Sequence, residues 1–140
     1  MKTLEEYVRY YYVERHYNCS EALIQAANDY YGLHITEDDM RMFGGFGGGM
    51  YSGIVCGTVV SIVATLSKMI VKESARKEGA TIRPVIAGTV RDFKEYLGGL
   101  SCPELKPKYY NKEDSCLKTV LLAAEVLERS VEKLKAEGAE

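Results

Sequence analysis

Apolar residues recur at helical spacing along most of this chain. Near the C-terminus the steps between apolar positions are four, three, three, four and three residues, which is the stripe of a helix facing a neighbour. No segment shows convincing strand alternation, so we predict an all-α protein folded as a helical bundle. The two clearest stripes are Leu4, Tyr7, Val8 and Tyr11, and Leu117, Leu121, Ala124, Leu127, Val131 and Leu134.

Capping and stop signals divide this pattern into about five to six helices. Thr3 with Glu6 and Asn18 with Glu21 match the capping box, which satisfies free backbone amides at a helix start. We expect residues 135–140 to form a frayed tail. The later helices are predicted from Asn18 to Gly32, over 36–43, from about Ile54 to Glu78, from about Ile82 to Leu97 with Pro84 in the first turn, over a short turn opened by Ser101 and ended by Pro107, and after a cap at Asn111 and Asp114.

The fourth of these segments is the most apolar part of the chain. No charged residue occurs in the 26 positions between Arg41 and Lys68, but the convincingly apolar part, Ile54 to Leu66, is only 13 residues long. A transmembrane helix needs about 20 apolar residues. We therefore interpret the segment as the long central helix of the bundle, preceded by a glycine-rich loop, and expect no membrane span.

Composition and charge narrow the class of protein. The chain has 140 residues, with 18 basic and 20 acidic side chains and a net charge of −2. That length predicts a single domain over 1–140. The absence of a dense basic stretch argues against nucleic-acid binding. The charged N-terminal sequence does not resemble a secretory signal, so we expect a cytoplasmic protein whose thiols are kept reduced.

The glycine-rich loop does not fit a phosphate-binding motif. Met50 stands where the dinucleotide fingerprint requires glycine, no Gly-Lys-Ser/Thr follows, and no strand precedes the loop. Glycine here indicates close backbone packing around a site. If that site holds a cofactor, the residues expected to line it are Gly47, Gly48, Gly49 and Gly57.

The four cysteines are the strongest candidates for chemistry. They are separated by 36, 45 and 13 residues, so no CxxC motif occurs, yet each lies at or near a predicted helix start. Backbone amides and the helix dipole stabilise a thiolate there, and we expect lowered thiol pKa values. The alternative for any one of them is plain packing as a small hydrophobe. The candidate site consists of Cys19, Cys56, Cys102 and Cys116.

The order of these motifs is similar to that of the C_GCAxxG_C_C family, described as redox-active. The matching pieces are 17–22, 46–50, 55–57, 93–98, 102–105 and Cys116, and the resemblance spans roughly Glu6 to Val131. It implies that the family's characteristic cysteines are the four named above. One departure lies after the second cysteine, where the family's Cys-Gly-Ala-x-x-Gly has Thr58 for alanine and Ser61 for the last glycine.

Three functions are compatible with these residues. The first is thiol–disulfide exchange or electron relay with a redox partner protein or a small thiol or disulfide, needing no cofactor. The short segment between Cys102 and Cys116 favours these two as one pair. Under this hypothesis the protein is a thiol-dependent oxidoreductase, although the sequence does not establish that it is an enzyme.

The second hypothesis is a zinc or iron–sulfur centre with all four cysteines as ligands. The third is a non-catalytic helical binding or assembly module. Its contact surface, including a possible homo-oligomer contact, would be an N-terminal tyrosine cluster, although these rings are also expected to cover the core. The cluster consists of Tyr7, Tyr11, Tyr12 and Tyr17.

Overall fold

The backbone is built from helices joined by short turns. The computed structural model describes residues 2–138, and in that part of the chain the backbone forms no strand, only an isolated bridge between Asn111 and Ser115. The all-α prediction is confirmed. The helices are α1 (Leu4–Arg9, continued by a π-helical turn over Tyr10–Glu14), α2 (Cys19–Tyr31), the single turn α3 (Glu37–Met40, continued by a 3-10 segment over Arg41–Phe46), α4 (Gly57–Ile70), α5 (Gly79–Leu97), α6 (Cys102–Tyr109) and α7 (Leu117–Ala136).

Local capping signals place the starts of α1, α2 and α6. Thr3, Asn18 and Ser101 each accept a hydrogen bond from the backbone amide three residues on, and the glutamate there bonds back to the cap amide. At the other end of α2, Gly32 adopts a left-handed conformation with φ 64°, which glycine reaches without a Cβ penalty. These signals set the positions of two of the four cysteines, Cys19 and Cys102.

Helix α4 lies at the centre of the packing. It contacts α2, α5 and α7, and its buried face includes Ile62 and Leu66. The stripe predicted for α7 faces this core, with Leu127 and Val131 among its buried members. None of the described helices is long and apolar enough to cross a membrane. The contacts of α4 with α2, α5 and α7 confirm its predicted place as the central helix of the bundle.

The central helix is shorter than predicted. It was expected to reach Glu78, but it ends at Ile70, and Val71 is extended with φ −78° and ψ 120°. The following residues 72–78 are mostly charged or small and offer no apolar face to bury, so continuing the helix would gain no packing energy.

Four further boundaries differ from the predictions. Helix α5 begins at Gly79 rather than near Ile82, which places Pro84 in its second turn. Pro107 lies inside α6 instead of ending it. The Asn111 side chain accepts from the Asp114 amide in a local turn and does not cap α7, because Ser115 has φ 54° and interrupts the helix. Helix α7 continues to Ala136, so the start of the predicted frayed tail is helical, while residues 139–140 lie outside the described part.

Candidate functional site

The structure brings all four predicted cysteines to one cavity of about 200 Å³. Cys19 and Cys102 are the first residues of α2 and α6, whereas Cys56 and Cys116 directly precede α4 and α7. The prediction that the cysteines lie at helix starts is therefore confirmed for these positions. Cys56 is buried, the other three are partly exposed, and none forms a disulfide here.

A backbone hydrogen bond joins the segments that carry Cys56 and Cys102. The amide of Cys56 donates to the carbonyl oxygen of Leu100 at 2.6 Å, two residues before Cys102. The same connection is held from the α6 side, where the Glu104 carboxylate accepts from the amides of Leu100 and Ser101 at 3.1 Å each. Two cysteines that are separated by 45 intervening residues in the sequence are thus fixed at the same end of the bundle.

Glycine is required where the chain passes the sulfur atoms. A Cβ at Gly57 would lie 2.6 Å from the carbonyl oxygen of Phe46 and 3.0 Å from Cys19 Sγ, and one at Gly49 would lie 3.3 Å from Cys102 Sγ. Gly49 also has φ +65°. These residues permit close packing against the thiols.

The four glycines predicted to line a cofactor site do not share one role. Gly48 alone among them lines the cavity. A Cβ at Gly47 would lie 2.5 Å from the Asn18 side chain, whose amide group donates to the Gly44 carbonyl. Gly47 therefore packs against the residue that caps α2.

The thiols interact in a series that runs from Cys19 through Cys56 to Cys102. The interaction with Cys56, followed by burial, raises the pKa of Cys19. The interaction with Cys102 raises the pKa of Cys56, whereas the hydrogen bond from Cys56 lowers the pKa of Cys102. Burial raises the pKa of Cys116. The expected lowering therefore holds for Cys102 and is wrong for the other three, because burial and thiol–thiol hydrogen bonds outweigh the helix dipole.

Two side chains that sequence reasoning did not assign to the site also line the cavity. Lys106, one turn after Cys102 on α6, contributes a positive charge that favours the thiolates of Cys102 and Cys116, although burial still raises the pKa of Cys116. The hydroxyl of Tyr12 accepts from the Cys116 amide at 2.9 Å, and burial raises the pKa of Tyr12 to about 12. Helical i, i+4 spacing could have pointed to Lys106. No local signal could have found Tyr12, which is 104 residues from Cys116.

Both departures from the family motif introduce buried hydroxyls, one beside Cys56 and one against Ser20. Thr58 and Ser61 are fully buried. Thr58 Oγ1 lies 3.0 Å from Cys56 Sγ. Ser61 donates to the Ser20 carbonyl at 2.6 Å, and the two serine hydroxyls are 3.1 Å apart. The contacts of Ser61 hold Ser20, the residue that follows Cys19, in place.

The cysteine side chains do not form a ready-made metal site. Among residues 2–138, no group of three or more His, Cys, Asp or Glu side chains is arranged to hold a metal ion. A four-cysteine metal centre would need the thiols to converge further than they do around this cavity.

The tyrosines of the N-terminal cluster are largely occupied within the chain. Tyr7, Tyr11 and Tyr12 pack against the core. Tyr11 also donates to Asp29 at 2.5 Å and stacks on Tyr17 with ring centroids 5.7 Å apart. The rings of Tyr7, Tyr11 and Tyr12 therefore cover the core, as expected.

Comparison with known families gives a match that covers most of the chain. Residues 17–130 match the family model described as "Putative redox-active protein (C_GCAxxG_C_C)". The match spans most of the chain, and the protein belongs to this family, which supports a redox-related role. Comparison with curated proteins and with solved structures found no match.

Proposed function

We propose that the protein carries out thiol–disulfide exchange with Cys56 and Cys102 as its exchanging pair. The observation that carries this proposal is the 2.6 Å hydrogen bond from the Cys56 amide to the Leu100 carbonyl oxygen, which fixes Cys56 beside the start of α6, where Cys102 lies. The Cys56 side chain also contributes most to the lowered pKa of Cys102, whereas the charge of Cys116 opposes that lowering. This arrangement favours a Cys56–Cys102 pair over the Cys102–Cys116 pair that the short intervening segment suggests.

Cys102 is the attacking thiol in this scheme. It is partly exposed at the cavity, it begins α6, and the lowering of its pKa gives it the largest thiolate fraction of the four. Its thiolate attacks one sulfur of a substrate disulfide, forms a mixed disulfide and releases the other half of the substrate as a thiolate, which takes up a proton.

Cys56 completes the exchange from its buried position. Its thiol loses a proton and attacks the Cys102 sulfur of the mixed disulfide, which forms the Cys56–Cys102 disulfide and expels the second half of the substrate as a thiol. The substrate disulfide is thereby reduced to two thiols, and the protein dithiol is oxidised by two electrons. A small dithiol or a redox partner protein returns the protein to its reduced form by the same steps in reverse.

Cysteine variants with an aromatic disulfide as substrate test this scheme. In reduced Cys56→Ser protein, peptide mass mapping should find a persistent mixed disulfide on Cys102. Cys102→Ser protein should lose both the rapid attack on the aromatic disulfide and the Cys56–Cys102 disulfide. Matched Cys19→Ser and Cys116→Ser variants should still form the Cys56–Cys102 disulfide. A wild-type protein that never forms this disulfide, or forms it equally well without Cys102, would contradict the proposal.

A second candidate is metal or cluster binding by the same four cysteines, favoured by the one cavity that they share. Because sulfur ligands suit zinc and iron–sulfur clusters, this candidate predicts extra mass in anaerobically purified native protein that disappears on denaturation. A native mass equal to the chain mass would exclude it and leave the dithiol scheme.

A further inference from the structure

Helix α4 carries a hydroxyl that the family motif does not have. Thr58 replaces the alanine of that motif, is fully buried, and places Oγ1 3.0 Å from Cys56 Sγ. An alanine at this position would present only a methyl group to Cys56 and could form no side-chain hydrogen bond with its sulfur. The substitution thus adds a buried hydroxyl and a methyl group beside Cys56.

The Thr58 hydroxyl forms its side-chain hydrogen bond with the Cys56 sulfur. In residues 2–138, Cys56 Sγ is its one side-chain hydrogen-bond partner, whereas Thr65 on the same helix donates back to the Ser61 carbonyl at 2.8 Å. In the thiol form of Cys56 either atom of the Thr58–Cys56 pair can be the donor, but a Cys56 thiolate can only accept, so the Thr58 hydroxyl then donates to the sulfur.

We propose that Thr58 is a positioning residue for Cys56: its buried hydroxyl donates to the sulfur and stabilises the Cys56 thiolate that resolves the mixed disulfide on Cys102. This inference depends on the proposed thiol–disulfide function. A hydroxyl fixed by a helix and shielded from water is oriented before the reaction, so no solvent must be rearranged as the negative charge develops. Thr58 should therefore accelerate the second step of exchange and leave the first step unaffected.

The ionisable groups that influence the pKa of Cys56 are the thiols of Cys19 and Cys102. The same cavity is also lined by Tyr12, Tyr17, Lys106 and Cys116. None of these groups is altered by a substitution at Thr58, so a change in the pH dependence of the second step would report on the hydroxyl itself.

The two steps can be separated with an aromatic disulfide whose released thiolate is coloured. In full-length protein carrying Cys19→Ala and Cys116→Ala, the first thiolate is released when Cys102 attacks and the second when Cys56 resolves the mixed disulfide. Thr58→Val removes the hydroxyl and keeps the side-chain shape, whereas Thr58→Ser keeps the hydroxyl. Ser61→Ala removes a buried hydroxyl on the same helix that contacts Ser20 rather than Cys56, and is the matched control.

We expect Thr58→Val to slow the second release about tenfold or more, since a hydrogen bond to a charged group is lost. The pH midpoint of that phase should rise by about one unit. The first release should be unchanged, and both phases should stay near wild-type rates in Thr58→Ser and Ser61→Ala. A Thr58→Val protein that resolves as fast as Thr58→Ser would overturn the role of Thr58. Absence of any second release in the wild-type background would instead overturn the proposed pair, and the role of Thr58 with it.

Discussion

Replacement of Gly57 by alanine is the most direct test of how the chain is packed around the site. A Cβ at this position would lie 2.6 Å from the Phe46 carbonyl oxygen and 3.0 Å from both Cys19 Sγ and Ser20 Cβ. The first distance is too short for any Cβ, and its partner is backbone, so either α4 or the segment at Phe46 must move.

The expected change in the free energy of unfolding is the difference between two opposing effects. Overpacking of a close-packed interior costs about 1–3 kcal/mol, whereas alanine gains at most about 1 kcal/mol over glycine in a helix, and less at its first residue. We therefore expect Gly57→Ala to lower the free energy of unfolding by about 1–2 kcal/mol. For a chain of this size that corresponds to a fall in melting temperature of roughly 3–10 °C.

Urea denaturation of reduced protein, followed by circular dichroism, measures this change. Gly45→Ala is the matched control, because it lies in the same glycine-rich segment and a Cβ there would meet nothing within 4 Å. The control should stay within about 0.5 kcal/mol of wild type. If Gly57→Ala is as stable as Gly45→Ala, the close approach of α4 to Cys19 and Phe46 is incorrect.

Three further predictions concern the cavity. Lys106→Gln should slow alkylation of Cys102 at neutral pH by roughly two- to fivefold, the effect of one exposed charge, and added salt should diminish the difference, whereas Lys112→Gln should have no effect. Tyr12→Phe removes the acceptor of the Cys116 amide and should lower the free energy of unfolding in urea by about 1 kcal/mol. The control Tyr30→Phe should leave this free energy nearly unchanged. Because only the thiolate reacts, alkylation of Cys102 should reach its plateau at a lower pH than that of Cys116, and the reverse order would refute the assigned shifts.

Local signals in the sequence account for much of the fold. The capping boxes at Thr3 and Asn18 require only residues three apart, and the apolar stripe of α7 requires only helical periodicity. The same local reasoning predicted the cysteines to lie at helix starts. Local reasoning did not predict the end of α4 at Ile70, because the length of this helix depends on its packing against other helices.

The interactions between the cysteines depend on tertiary structure. A short segment separates Cys102 from Cys116, but the direct interaction of Cys102 is with Cys56, because the Cys56 amide bonds to Leu100. The lowered pKa predicted from the helix dipole holds for Cys102 alone, and there its largest cause is the hydrogen bond with Cys56, which the sequence does not show. Burial and neighbouring thiols, which decide the other three pKa values, are properties of the folded chain.

Disulfide mapping of the protein after oxidation tests the central proposal most directly. Reduced wild-type protein is equilibrated with graded mixtures of a small thiol and its disulfide, trapped by alkylation, and analysed by intact and peptide mass. We predict that the first protein disulfide to form joins Cys56 to Cys102, with the loss of two hydrogens from the chain mass. A first disulfide between Cys102 and Cys116, or four thiols that stay reduced across the whole series, would contradict the account.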